Sequence, residues 1–197
     1  MSNDKNIHPF KFCEHLNQSM NQMPLVIWLT GISASGKSTI ANFVDLLLRS
    51  TDKHTTILDG DTLRNGLCRD LGFSMDDRNE NIRRIAETAC LMVDAGLIVI
   101  VAAISPTRAC RHHARSIIGH ARFIEVFVDT PLAVAEARDP KGLYVKARQG
   151  SIKGFTGVTS DYEAPIFPEV HLCTVDLSPS LAAQKIVDWI TDPSRCH

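Results

Sequence analysis

Five short runs of the chain are apolar almost without interruption: LVIWLT (25–30), TTILD (55–59), LIVIVAA (97–103), RFIEVFVD (122–129) and VHLCTVD (170–176). They do not alternate strictly, so neither face is left to water, which is the pattern of parallel strands covered on both sides. Between the runs the period lengthens. Ile82, Ile85, Ala86, Ala89, Met92 and Val93 fall three and four apart and form one stripe on a helix. A helix is expected to begin at Lys37, others near Pro106 and Pro131, where proline suits a first turn, and SPSLAAQKIVDWI (178–190) completes the set. Strand and helix in alternation predict an α/β fold: a parallel five-stranded sheet with helices on both faces.

Two stretches depart from this rhythm. Residues 1–23 are polar and aperiodic and read as an arm or short helix outside the core, leaving 24–197 as one domain. Residues 139–169 hold four of the eleven glycines and three of the nine prolines with little periodicity, and a segment this long between core elements is expected to be functional or disordered.

At 197 residues the chain is long enough for one sizeable core. A formal net charge of -1 supplies no basic field for nucleic acid, so any binding of anions has to be local. The six cysteines, at 13, 68, 90, 110, 173 and 196, lack CxxC spacing; they read as thiols of a reducing compartment, and no zinc site is expected from them. The N-terminus has no apolar core of a signal peptide, and no apolar run reaches the ~20 residues that span a bilayer. A soluble, cytoplasmic protein without nucleic-acid or membrane partners is expected.

The first candidate chemistry is GISASGKST, residues 31–39, between a buried strand and a helix. Glycines there let backbone N–H groups turn onto phosphate oxygens, and the helix adds its positive end. Lys37 is placed to reach the β- and γ-phosphates and Ser38 to bind Mg²⁺, which makes the donor a nucleoside triphosphate. Strand LIVIVAA ends in Ile-Ser-Pro without the acidic residue of a motor ATPase, and the Asn-Lys-x-Asp that reads guanine is missing. The acidic pair is instead in LDGDTLR, where Asp59 and Asp61 could hold magnesium through water and orient an acceptor hydroxyl, or simply form a turn that caps the strand. A small-molecule kinase follows.

Arg64, Arg78 and Asn81 fall on the same rim, and arginine forks suit an acceptor that carries phosphate or sulfate. Phe73 and Phe155 sit in polar, glycine-bearing loops, either as core plugs or as the two faces of a clamp around a base.

LDGDTLRNGL, RDLGFSMDDRNENIRR, DAGLIVIVAAISPTR, FIEVFVDTPLAVAEARDPKGLYVKAR and GFTGVTSDYEAP, in this order and spacing, strongly resemble the adenylyl-sulfate kinase (APS kinase) family over about residues 24–191. That family has a P-loop kinase fold and moves a phosphoryl group from ATP to the ribose 3′-hydroxyl of adenosine 5′-phosphosulfate (APS), giving 3′-phosphoadenosine 5′-phosphosulfate and ADP. The resemblance implies that Gly31, Ile32, Ser33, Ala34, Ser35, Gly36, Lys37, Ser38 and Thr39 bind the ATP phosphates, with Arg138 near the ATP adenine and Lys141 near the phosphates. Asp61 then acts at the transferred group with magnesium. Arg64, Arg78 and Asn81 hold the phosphosulfate, Phe73 and Phe155 sandwich the adenine of APS, and Ile104 lies beside that pocket through its backbone.

Residues 139–169 become a mobile lid, and Ser105 matches a serine designated a phosphoserine intermediate. Bottom-up, a direct transfer needs no such intermediate, and Ser105 could equally cap the next helix. A homodimer, and ATP sulfurylase as pathway partner, are also implied. Asn65, Ala103, Thr107 and the tract PIFPEV depart from the usual pattern, with Ala103 and Thr107 loosening the pocket wall. The rivals are a kinase for a sugar, shikimate or a nucleotide, and a regulatory module that binds ATP or APS with little chemistry; intact Lys37, Ser38 and Asp61 oppose the second.

Overall fold

Each of the five apolar runs forms a strand: β1 (Val26–Thr30), β2 (Thr55–Asp59), β3 (Ile98–Ala102), β4 (Phe123–Asp129) and β5 (Val170–Cys173). The computed structural model describes residues 20–152, 154–192 and 194, so most of the stretch read as an arm lies outside the described residues. Its last part does not stand apart from the core. Gln22 is buried, its amide donates to the His54 and Gly96 carbonyls at 3.0 and 2.7 Å, and its oxygen accepts from the His54 N–H.

The sheet is parallel throughout, in the order β2-β3-β1-β4-β5, so β1 is central and flanked on both sides. Its near-continuous apolar sequence follows from that position. Ile27 and Leu29 pack under helices α1 (Lys37–Arg49) and α7 (Pro179–Thr191), while Val26 and Trp28 pack under α3 (Met75–Asp94) and α4 (Arg108–Ile118). Each such side chain contributes roughly 1.5–3 kcal/mol by leaving water. The short helix α2 (Gly60–Arg64) follows β2 directly.

The stretch 139–169 is more ordered than its composition suggests. After α5 (Leu132–Arg138) it forms α6 (Leu143–Arg148), and Tyr144, Ala147 and Phe155 bury themselves with Ile32 and Ala135 in a small core of their own. Its little periodicity hid this core because the apolar partners are spread over the segment and two other elements. Periodicity detects only partners one turn apart.

The helix starts are set by caps. Ser74 accepts from the Asp77 N–H at 3.1 Å to begin α3, with Asp76 and Asp77 in the favourable first turn. For α4 the cap is Thr107, which accepts from the Cys110 N–H at 3.2 Å. The alternative reading of Ser105 as the cap is therefore corrected: two residues further on, a second hydroxyl is better placed. Helix α1 has no side-chain cap, since Gly36 precedes it in a left-handed conformation, φ 101°. Its first N–H groups are left for a ligand.

Candidate active site

Residues 31–39 wrap the carboxyl end of β1, where open α/β sheets place their ligands. A Cβ at Gly31 would lie 2.5 Å from the Val128 carbonyl oxygen, so only glycine fits that crossing. The Lys37 side chain folds back inside the loop and donates to the Gly31 and Ile32 carbonyls at 2.9 and 2.7 Å and to Ser35 Oγ at 3.3 Å. Burial pulls its pKa down to about 8, against the opposing pull of the Asp61 and Asp59 carboxylates. The Ser38 hydroxyl donates to Asp59 Oδ2 at 2.6 Å. Beside the loop is a cavity of about 510 Å³ whose walls include Ser33, Gly36, Thr39, Arg138, Lys141 and Pro179. The Arg138 guanidinium is held there by the Thr174 carbonyl at 2.9 Å.

The two aspartates divide the roles that the sequence left open. Asp59 is the cap: its Oδ1 accepts from the Asp61 and Thr62 N–H groups at 2.9 and 3.2 Å. Asp61 caps nothing; its Oδ2 is 2.5 Å from Lys141 Nζ, whose pKa is raised chiefly by that bond.

A second cavity, of about 240 Å³, shares Lys37 with the first and is lined by Asp61, Arg64, Phe73, Arg78, Asn81, Ile104, Ser105 and Phe155 among others. Every acceptor-side residue picked out from the sequence is brought to this one space. Phe73 is 62% exposed with the Arg64 guanidinium 4.5 Å over its ring, whereas Phe155 is 8% exposed and meets Tyr144 edge-on at 5.0 Å. Phe155 is thus core plug and cavity wall at once; Phe73 is wall only.

Arg78 is bound on all sides, by the Phe73 carbonyl at 3.0 Å, Thr156 Oγ1 at 3.1 Å and the Gly154 carbonyl at 2.8 Å. Its pKa is lowered by burial and by Arg64. The residue staples the start of α3 to the segment around Phe155. Asn81 is buried with an amide oxygen that has no partner among the described residues, an acceptor left for a donor on a ligand.

The family model described as adenylylsulphate kinase matches residues 23–173. The chain belongs to the adenylyl-sulfate kinase family. The adenylyl-sulfate kinase of Pseudomonas aeruginosa is 56% identical over 169 residues, 86% of each chain. The bifunctional enzyme NodQ of Rhizobium tropici is 58% identical over 170 residues, which make up 86% of this chain and 27% of that one. The structure of the Mycobacterium tuberculosis APS kinase in complex with AMPPNP and APS matches with a TM-score of 0.82 at 46% identity, over 85% of this chain and 98% of that one. The resemblance carried by the motifs is borne out, and with it the P-loop kinase fold of an adenylyl-sulfate kinase. No helix among the described residues is long and apolar enough to cross a membrane.

In this adenylyl-sulfate kinase Ser105 is 1% exposed and already committed. Its Oγ accepts from Trp28 Nε1 at 3.1 Å and donates to the Ala103 carbonyl at 3.3 Å, with φ at 41°. Around it is a network that sequence reasoning missed. Thr30 Oγ1 donates to the Ile104 carbonyl at 2.7 Å, and the Arg111 guanidinium donates to the Ser105 carbonyl at 2.7 Å, Glu125 at 2.7 Å and the Glu163 carbonyl at 2.6 Å. The Tyr162 hydroxyl meets Thr30 at 2.9 Å, and burial pushes its pKa up to about 12. The signal was present: Glu125 interrupts an apolar strand, and Arg111 falls on the buried stripe of α4 with Cys110, Ala114 and Ile118. A charge in each of two core elements pointed to a buried pair.

Proposed function

We infer that this adenylyl-sulfate kinase phosphorylates the 3′-hydroxyl of APS with ATP by direct in-line transfer. The observation that supports this most is that Lys37 lines both cavities, while Asp61 in the wall of one is paired with Lys141 in the wall of the other, which would bring the γ-phosphate of one nucleotide beside the ribose of another. The loop 31–39, Arg138 and Lys141 form the donor side. On the acceptor side Arg64, Arg78 and Asn81 serve the phosphosulfate end, Phe73 and Phe155 hold the adenine, and the backbone of Ile104 lines the wall. Arg64 has donors to spare, whereas Arg78 acts mainly by fixing the wall. Asp61 accepts the proton of the attacking hydroxyl, and Lys37 meets the charge that develops on the departing phosphoryl group.

The donor set suits Mg²⁺. Ser38 Oγ and Asp59 Oδ2 lie 2.6 Å apart with Asp61 two residues after Asp59, all hard oxygen ligands, Asp59 through water. When bound, the ion neutralises phosphate charge. The Lys141–Asp61 pair keeps the lid, residues 139–169, over the junction until phosphate competes for the ammonium group. A homodimer in the cytoplasm, supplied with APS by an ATP sulfurylase, completes the proposal. The free Cys68, Cys90, Cys110 and Cys173 support a reducing compartment, and the longer bifunctional relative supports a linked second activity.

The deciding assay is ADP release with APS, AMP, shikimate and gluconate offered separately. Turnover is expected with APS; turnover with shikimate or gluconate and none with APS would sink the proposal. Phe73→Ala is expected to weaken APS by roughly 1–3 kcal/mol, the range for a base stacked on an aromatic ring, and to leave ATP affinity unchanged. Equal weakening of both nucleotides would remove Phe73 from the clamp.

The direct route gives Ser105 no phosphorylated state: its hydroxyl is buried and bonded to Trp28 Nε1 and the Ala103 carbonyl, with no side-chain base bonded to it among the described residues. Ser105→Ala is expected to keep turning over, with inversion at a chiral γ-phosphorus, and to lose about 1–3 kcal/mol of stability from the orphaned Trp28 N–H. Net retention of configuration with an inactive variant would reverse that assignment.

A further inference from the structure

Asp129, His171 and Cys173 stand together on the outer part of the sheet, and none of them lines either cavity. Asp129 ends β4 and is the register partner of Cys173 on β5. His171 is two residues before Cys173, so the period of two puts both on one strand face, and both are exposed. One oxygen, one nitrogen and one sulfur all lie within 4.8 Å of one another. His171 Nε2 is 2.9 Å from Asp129 Oδ2 and 3.9 Å from Cys173 Sγ.

Two kinds of chemistry use a cysteine, a histidine and an aspartate. A proton relay needs both ring nitrogens, one toward the thiol and the other toward the carboxylate. Here the same nitrogen, Nε2, faces both partners. One nitrogen cannot take the thiol proton while it donates to the carboxylate, so the trio is no relay. Three donors converging on one point are instead what a cation requires.

The donor types decide which cation. Sulfur and imidazole nitrogen are poor ligands for magnesium or calcium and good ones for zinc and its neighbours. In a tetrahedron with bonds of about 2.0–2.3 Å, ligand atoms lie about 3.3–3.7 Å apart. The two distances above fall on either side of that range and the third, oxygen to sulfur, is within 4.8 Å, so shifts of about an ångström reach it. The ring is also held in plane. Phe127 stacks on His171 at 5.0 Å and 21°, and Tyr162 stacks on Phe127 at 6.0 Å and 19°.

We propose that Asp129, His171 and Cys173 form a three-ligand site for a divalent transition metal of the zinc class, with the fourth position open to water. Binding replaces the His171–Asp129 hydrogen bond, leaves the imidazole proton on Nδ1, and releases the thiol proton of Cys173 to solvent. The scattered cysteines gave no expectation of such a site because its carboxylate is 42 residues from the histidine. The local signal is only His-x-Cys on one strand.

The test is a titration of the full, metal-stripped chain with cobalt(II) chloride, without nucleotide and under a phosphine reductant that does not bind metal. One equivalent is expected to raise a thiolate-to-cobalt charge-transfer band and intense tetrahedral d–d bands, both bleached by one equivalent of zinc. Cys173→Ser is expected to lose the charge-transfer band. Asp129→Asn and His171→Ala are each expected to weaken cobalt by at least about tenfold, the lower end of what even a supporting partner contributes. Circular dichroism and ADP release with APS, magnesium and ATP report that the variants stay folded. No charge-transfer band in the wild-type protein, or a band unchanged in Cys173→Ser, would overturn the proposal.

Discussion

Lys37→Met is expected to lower kcat by on the order of 10³-fold, the scale for removing a donor that meets transition-state charge, while the folded protein becomes no less stable. The two effects have one origin. The ammonium group is buried among the carbonyls of its own loop, and its pKa of about 8, well below the ordinary 10.5, records the cost of keeping it charged there. Methionine fills much the same space without that cost. Below pH 8 both folded and unfolded lysine are protonated and the penalty is present in full. Between pH 8 and 10.5 the folded lysine loses its proton first, so the penalty fades as pH rises. Thermal unfolding of both proteins at pH 7 and pH 10 checks this: the advantage of Lys37→Met should shrink at the higher pH. The same shift predicts that ATP binding takes up a proton near pH 9, because the phosphates restore the charge. Wild-type turnover by Lys37→Met would remove the loop from the donor site.

Asp61→Asn is expected to lower kcat by roughly 10²- to 10⁴-fold, the span of a positioned proton acceptor, with KM for APS near the wild-type value. Asparagine keeps the size of the side chain and its place on α2, but cannot take a proton or balance Lys141. Because Asp61 neither caps a helix nor joins the core, the change should leave the fold intact. Single-turnover rates with saturating APS separate chemistry from binding. A loss confined to KM would assign Asp61 to holding the acceptor only.

The sheet was legible because its information is contiguous: LVIWLT and LIVIVAA each announce a strand covered on both faces within seven residues. The proposed donor loop could be picked out for the same reason, since Gly31, Gly36, Lys37 and Ser38 are neighbours in sequence. Phe73 and Phe155 could be suspected but not sorted. What separates them is Tyr144 and Ala147, which bury Phe155 from a helix hidden in an irregular stretch. Ser105 was open to misreading because the hydroxyl that caps α4 is that of Thr107, two residues on. Arg78 showed its charge but not its partners, as Gly154 and Thr156 lie more than 70 residues away. Contacts of that span leave no local trace.

The chain has two tryptophans, and they lie on opposite faces of the sheet: Trp28 packs with the α3 and α4 side, Trp189 against the α1 and α7 side. The Trp28 indole N–H rests on the Ser105 hydroxyl, in the loop that lines the acceptor cavity. Trp189→Phe would therefore leave a single tryptophan whose excited state feels that wall. If that cavity takes the acceptor as proposed, its filling should be readable in real time from the protein's own emission, without a label.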